Sequence, residues 1–279
     1  MAPNLTPYNQ IPEITFLMSL PLTVVKIGGN IIDNPEASGA FLHAFAKLPA
    51  PKILVHGGGK IATQTAAKLQ IETQMVDGRR ITDRAMLDVV TMVYGGLVNK
   101  NLVAQLQANQ CNAIGLTGAD GGIIRSIKRP IKDIDYGFVG DIVEVNAVQM
   151  KSLLRNSLIP VIAPLTYNSE GLLLNTNADT MASAIAVALA TDYTVNLVYC
   201  FEKKGVLSNP NDDDSVIPTL TRVTYAEHKA SGVIYQGMIP KLDNAFKALE
   251  SGVGRVTICH ANDLLAMKEG QTGTILRLN

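Results

Sequence analysis

The chain has 279 residues, of which 47% are apolar and 17% charged, and its 24 basic and 24 acidic side chains cancel. That length and apolar share suit one large α/β domain or two packed lobes and exclude a disordered chain. The zero balance offers nothing to nucleic acid or to an anionic membrane surface.

Taken in chain order, the first 21 residues are expected to be an N-terminal extension without fixed structure. The apolar run ITFLM before Ser19 is short and no basic residue precedes Lys26, so no targeting signal is read there. No apolar stretch approaches the roughly 18–20 residues of a membrane span. Cys111, Cys200 and Cys259 are odd in number and widely spaced, which argues against a disulfide framework or CxxC metal site and fits a reducing cytoplasm.

The run VVKIGGN, residues 24–30, is a short apolar strand entering Gly28 and Gly29. Asn34-Pro35 predicts a helix start, and Phe41, Leu42, Phe45 and Leu48 follow at helical spacing. KILVH then leads through Gly57, Gly58 and Gly59 into a helix near residues 61–69. Asp77-Gly78 between IETQMV and RRIT predicts a hairpin, with only one of Arg79 and Arg80 facing inward. A long helix is expected over residues 83–107, with Gly95-Gly96 as its weak point. The strand NAIGLTG, a glycine-rich turn at 119–122, a short β region containing GFVGDIVEV and a helix over 148–155 come next.

LIPVIAP and LLLN predict strands, and residues 177–190 form a helix apolar nearly all round, hence buried. A strand TVNLVYC, a helix from Pro240, a strand RVTICH and a closing GTILRL complete the pattern. This alternation predicts a three-layer α/β/α sandwich around a mainly parallel sheet. A lobe boundary falls near 170–177.

The chemistry starts from the glycines. Each cluster follows a strand, where a missing Cβ lets backbone N–H groups approach an anion. Lys26 lies inside the first strand, a costly place for a cation without a counter-charge. The ordinary P-loop spacing fails, because Leu54 and Ile61 occupy positions that need glycine and Ser or Thr. Gly57, Gly59 and Ala62 satisfy a dinucleotide fingerprint with Asp77 as the ribose acid, but this leaves Lys26 unexplained. Plain tight turns are the remaining reading of the glycines.

NTNAD, residues 175–179, opens a helix whose N-terminus favours polar or anionic groups. Asp179 is there either a complement to the helix dipole or part of a site. In GMIPK, Pro240 starts a helix and Lys241 lies in its first turn, against the dipole. It is either a solvated surface lysine or faces a phosphate. One of the hairpin arginines suits bidentate capture of a carboxylate.

VVKIGGN, VHGGG, DGRRIT, GLTGADGG, GFVG, NTNADT and GMIPK occur in this order across residues 24–241, and EGQTGT follows near the end. The ordered set resembles the amino-acid kinase family, and within it the branch acting on N-acylated glutamate, from about residue 22 onward. The resemblance implies an amino-acid kinase fold, with an N-lobe over about 22–174 holding the acyl-amino acid and a C-lobe over about 175–279 holding ATP.

It implies ATP-dependent phosphorylation of the γ-carboxylate of N-acetyl-L-glutamate, in arginine biosynthesis. Lys26 and Lys241 would neutralise the transferring phosphoryl group, with Asp179 holding both. Gly58, Gly59, Arg80 and Asn175 would bind the acyl-amino acid. Lys26, Gly28, Gly29, Glu202, Lys203, Lys204, Gly205, Val206, Leu207, Val233, Ile234 and Tyr235 would bind the nucleotide. Mg²⁺ would arrive with the ATP phosphates, with no protein metal site, and the implied assembly is a cytoplasmic homodimer.

Alternatives are an N-succinylglutamate, glutamate, aspartate, UMP or carbamate kinase, or a catalytically silent sensor on the same fold. The chain departs from the family pattern at Phe201-Glu202, at Ala119, and in DLLAMKEGQTGT near the end, from which little arginine inhibition is expected.

Overall fold

Strand β1 (Leu20–Ile27) runs through the middle of the molecule, with neighbours paired on both sides. The computed structural model describes residues 20–76, 78–234, 238–269 and 272–279. Residues 1–19 of the expected extension, together with Asp77 and Tyr235, lie outside the described residues. Within the described residues, Leu20 and Pro21 pair with Tyr193 and Thr194 at the start of β1.

After β1 come α1 (Gly29–Ile32), α2 (Pro35–Lys47), β2 (Lys52–His56), α3 (Gly59–Lys68) and the hairpin β3 (Met75–Val76) with β4 (Arg79–Arg80). Then follow α4 (Arg84–Val90), a π-helical stretch (Thr91–Val98), α5 (Asn99–Ala108), β5 (Ala113–Leu116), β6 (Ile124–Lys128), β7 (Gly140–Val145) and α6 (Ala147–Arg155). The remainder comprises β8 (Ile159–Ile162), β9 (Leu165–Tyr167), β10 (Leu173–Asn175), α7 (Ala178–Leu189), β11 (Tyr193–Phe201), β12 (Thr219–Thr221), α8 (Arg222–Ala230), α9 (Ile239–Glu250), β13 (Arg255–His260) and β14 (Thr274–Arg277).

Local chemistry accounts for several of these starts. Asn34 caps α2 by accepting from the backbone of Glu36 and Ala37, with Pro35 at the first position. Asp83 caps α4, Asn146 caps α6 and Asn177 caps α7. Met75 pairs with Arg80 in the expected antiparallel hairpin.

Eight strands form the central sheet in the order β12-β14-β13-β11-β1-β2-β8-β5, parallel except where β13 meets β14. A smaller sheet, β10-β9-β6-β7, stands beside it. Alternating strand residues feed two cores. Val24, Val55 and Leu197 face the side covered by α7 and α9, while Val25, Leu54 and Val198 face the side of α2, α4 and α5. The three-layer sandwich inferred from the sequence is therefore present. Among the described residues no helix is long and apolar enough to cross a membrane.

Some elements differ from expectation, among them the short α1, β9 and β12, which were not predicted. The helix predicted over 83–107 is continuous, but its middle, containing Gly95 and Gly96, is π-helical. Helix α8 was not foreseen, because Tyr225 is its only buried side chain and so little apolar periodicity marks it. Parallel strands beside β1 put the loops after β1, β2 and β11 at one end of the sheet, the usual location of a ligand crevice.

Candidate functional site

Strand alternation decides where Lys26 points. Val24 faces the α7 side, so Lys26, two residues on, faces it too. There its Nζ lies 2.8 Å from Asp179 Oδ1, an off-axis ion pair in which the lysine side chain is only 10% exposed. Asp179 is in the first turn of α7, and its other oxygen accepts from Lys241 Nζ at 2.6 Å. One carboxylate thus joins two lysines 215 positions apart in the sequence, from β1 and α9. Lys241 sits in the first turn of α9, and Asp179 offsets the unfavourable helix dipole there. Burial pushes the Asp179 carboxyl up, but Lys26 and Lys241 together outweigh burial and hold it well below the usual carboxylate range. It stays ionised at any physiological pH. The Tyr199 hydroxyl donates to its backbone carbonyl at 3.3 Å.

The two glycine clusters meet each other. A Cβ on Gly57 would lie 3.2 Å from the Gly29 nitrogen, and one on Gly29 would lie 3.6 Å from the nitrogens of Gly58 and Gly59. Gly58 adopts φ 157°, ψ 14° and has the Tyr94 ring 3.0 Å from where a Cβ would stand. Main chain packs on main chain here, and the first-turn N–H groups of α3 have no intrahelical acceptor. Such a bed of N–H groups suits an anion.

Three hollows lie along this end of the sheet. The first is lined by Gly57, Gly58, Gly59, Arg79, Arg80, Tyr94, Arg129, Asn175, Thr176 and Asn177. The second is lined by Lys26, Gly28, Gly29, Asn30, Gly59, Lys60, Phe201, Glu202, Met238 and Lys241. The third is largely apolar and is lined by Phe201, Lys203, Gly205, Val206, Leu207, Pro210, Ile234 and Met238. Gly59 borders the first and second, while Phe201 and Met238 border the second and third. The order is a polar cleft with arginines, a cationic cleft, then an apolar slot.

In the first cleft Arg80 is the inward member of the hairpin pair, as alternation required, and is 8% exposed. Its guanidinium donates to Gly59 O and Thr63 Oγ1, both at 2.9 Å, and to Thr73 Oγ1 at 3.3 Å. Among the described residues no carboxylate pairs with it, so this buried cation is balanced by neutral acceptors alone. Arg129, in contrast, donates from both Nε and Nη2 to Asp141 Oδ1. Asn175 is buried and donates to Thr82 Oγ1 at 2.9 Å. Burial pushes the Tyr94 phenol up despite the nearby Arg80 charge.

Between the second and third hollows, Glu202 Oε1 accepts from Asn30 Nδ2 at 2.8 Å, tying the β11 loop to α1. Lys203 pairs with Asp213.

Residues 21–260 match the profile of the amino acid kinase family. The chain belongs to that family. The acetylglutamate kinase of Cytophaga hutchinsonii is 59% identical to this amino acid kinase over 92% of the chain and 99% of the relative. The acetylglutamate kinase of Phocaeicola vulgatus is 55% identical over 93% of the chain and 100% of the relative. Among solved structures, that of smu.665 from Streptococcus mutans superposes with a TM-score of 0.75 at 31% identity, covering 92% of this chain and 99% of that one.

The sequence-predicted site residues sort as follows. Lys26, Gly28, Gly29, Gly58, Gly59, Arg80, Asn175, Asp179, Glu202 and Lys241 gather in or beside the first two clefts. Lys203, Gly205, Val206, Leu207 and Ile234 line the third. Lys204 does not line it; it pairs with Asp214 and borders a separate hollow with Thr219 and Asp263. Val233 is half-buried and lines none of the three. Asn30, Lys60, Tyr94, Arg129 and Thr176 also line the clefts but were not among the predicted site residues. Asn30 and Thr176 lie inside the motifs VVKIGGN and NTNADT without an assigned role, Lys60 directly follows the second glycine cluster, and the directions of Tyr94 and Arg129 are set only by the fold.

Proposed function

We propose that this amino acid kinase transfers the γ-phosphoryl group of ATP to the γ-carboxylate of N-acetyl-L-glutamate, giving N-acetylglutamyl 5-phosphate and ADP in arginine synthesis. The observation that carries the reading is the cationic cleft, with its two lysines joined by Asp179, lying between an arginine-lined cleft and an apolar slot. That order matches acceptor, phosphates and base in a line. The acetylglutamate kinase relatives supply the identity of the acceptor.

Arg80, a buried cation with no acid partner among the described residues, takes the α-carboxylate, and Asn175 holds the acylated α-position. The acceptor's γ-carboxylate has an ordinary pKa of about 4.3 and is ionised near pH 7, so no general base is required. One of its oxygens bonds to the γ-phosphorus as the bond from phosphorus to the bridging oxygen breaks. The electron pair leaves with ADP and no proton moves.

The barrier is the meeting of two anions. Lys26 and Lys241 offset that charge, and the N–H groups of Gly28, Gly29, Gly58 and Gly59 add fixed dipoles. Glu202, Lys203, Gly205, Val206, Leu207 and Ile234 take the nucleotide side, with Val233 and Tyr235 as the sequence neighbours of Ile234. In this reading residues from about 22–174 hold the acceptor and those from about 175–279 the nucleotide, with Asn175 crossing to the acceptor and Lys26, Gly28 and Gly29 to the phosphates.

Mg²⁺ fits as a passenger on the nucleotide. Among the described residues no group of three His, Cys, Asp or Glu side chains is placed to hold a metal. The lining of the cationic cleft carries one acid, Glu202, and Asp179 behind it is engaged by both lysines, so phosphates and water would supply the ion's ligands. When bound it supplies further neutralisation of phosphate charge. A homodimer is part of this reading, and light scattering tests it.

The deciding experiment is ATP-dependent hydroxylamine trapping of the acyl phosphate with N-acetylglutamate, N-succinylglutamate, glutamate and aspartate. Hydroxamate from N-acetylglutamate is expected. Trapping with neither acylated substrate overturns the assignment.

A further inference from the structure

His56 ends β2, immediately before Gly57, and is completely buried. The reaction proposed above gives it no task. Its Nδ1 lies 2.7 Å from Gly57 O, and its Nε2 lies 3.1 Å from Asn99 Nδ2. Both ends of the ring are therefore engaged, and both contacts define where its proton sits.

The Gly57 carbonyl can only accept, so Nδ1 carries the hydrogen. The other end agrees independently. Asn99 Nδ2 also lies 2.9 Å from Val161 O, another group that can only accept, which fixes the amide nitrogen on that side. Asn99 Oδ1 in turn accepts from Lys100 Nζ at 3.1 Å. An amide so oriented donates to Nε2, which must be unprotonated. Asn99 is itself 1% exposed. Gly115 provides the space its amide occupies, since a Cβ there would collide with Asn99 Oδ1. Burial, reinforced by the Lys100 charge, pushes the imidazole down to about 4, although its bond to Gly57 opposes this, so the ring is neutral at physiological pH.

The consequence reaches the glycine bed through one peptide unit. In a trans peptide the carbonyl of one residue and the N–H of the next point in opposite directions. Holding Gly57 O toward the buried imidazole therefore turns the Gly58 N–H away from the core. Gly58 lines the arginine-bearing cleft, next to Gly59, which borders the cationic cleft as well.

We propose that His56 is a positioning residue: held as the Nδ1–H tautomer by Asn99, it fixes the Gly57–Gly58 peptide so that the Gly58 N–H faces the place where acceptor and phosphoryl group meet. The proposal rests on the phosphoryl-transfer reading for its effect on rate, but its hydrogen-bond arrangement stands apart from that reading.

Two substitutions separate positioning from core filling. In His56→Asn the side-chain amide nitrogen takes the place of Nδ1 and still donates to Gly57 O. In His56→Gln the side-chain oxygen takes the place of Nε2 and still accepts from Asn99, but the donor to Gly57 is gone. His56→Gln is expected to lower kcat roughly 10- to 100-fold with KM for the acyl-amino acid little changed, and His56→Asn to restore most of the loss. A purely structural role predicts equal losses in both, and that outcome, or an unaltered kcat in His56→Gln, overturns the proposal.

¹⁵N NMR of the unmodified protein reads the tautomer without any turnover. The Nδ1–H form is expected, and the Nε2–H form overturns the proposal even where neither variant folds. The Gly58 amide resonance should shift in His56→Gln and not in His56→Asn. Absence of turnover on every acylated substrate, with that pattern intact, would count against the reaction and not against the positioning.

Discussion

Replacing Asp179 by Asn removes the one charge that holds Lys26 and Lys241 together while keeping the side chain's shape. The carboxylate lies 2.8 Å from one ammonium nitrogen and 2.6 Å from the other. With the span of a carboxylate between them, the two cations are within about 8 Å, where an effective dielectric near 20 gives a repulsion of ~2 kcal/mol. Breaking a buried pair by removing one partner costs about 3–5 kcal/mol. The Lys241 side chain is 31% exposed, so water recovers part of this. A net loss of about 3 kcal/mol is expected, with a fall in kcat of roughly 100-fold or more as the lysines separate.

The sign with pH is definite. Asp179 has a lowered folded-state pKa, so its contribution is present above the unfolded value of about 3.9 and is lost as pH falls below it. Urea unfolding of both proteins from pH 7 to pH 3, with kcat from hydroxamate formation, measures these effects. In Asp179→Asn the two lysines should no longer contribute an acid-sensitive component. Stability within about 1 kcal/mol of the parent together with kcat within threefold would refute the reasoning.

Lys26→Ala and Lys241→Ala should each lower kcat by roughly 100-fold or more with modest change in KM, and near-normal kcat in steady-state assays would remove that lysine from the mechanism. Arg80→Lys loses the planar fork and should raise KM for the acyl-amino acid roughly 10-fold or more while leaving KM for ATP unchanged, which substrate titrations distinguish. His56 has a folded pKa near 4 against 6.5 unfolded, so the unfolded chain takes up its proton first and stability falls as pH drops through that window. The loss is ~3 kcal/mol for this fully buried ring. A pH series of urea midpoints that is no flatter in His56→Asn than in the parent, between pH 6.5 and 4, would contradict it.

Much of this was visible in the chain because certain residues conflict with their local setting. Lys26 inside an apolar strand and Lys241 at a helix N-terminus are both unfavourable alone, and the fold resolves both with one aspartate. Gly28, Gly29 and Gly57–Gly59 follow strands directly, and the hairpin turn fixes the parity that sends Arg80 inward. Helix α8 escaped notice because a helix with one buried side chain has almost no periodic signature. Lys204 lies apart from the apolar slot for a different reason. It follows the loop motif in sequence, but its pairing with Asp214 draws it away from the slot. The hydrogen bonds around His56 were not legible either, since they depend on a register between β2 and α5 that no local pattern encodes.

The π-helical stretch at Thr91–Val98 ends directly at Asn99. Each residue of an α-helix advances the side-chain direction by about 100°. The wider turn therefore acts as a phase adjuster, setting the angular position at which the following helix begins. Deleting a single residue from it would leave the composition of α5 intact but rotate Asn99 about a quarter turn or more away from His56. Alignment of this helix is thus counted in residues rather than in contacts, and its correct length is as much a requirement of the cleft as the identity of any side chain in it.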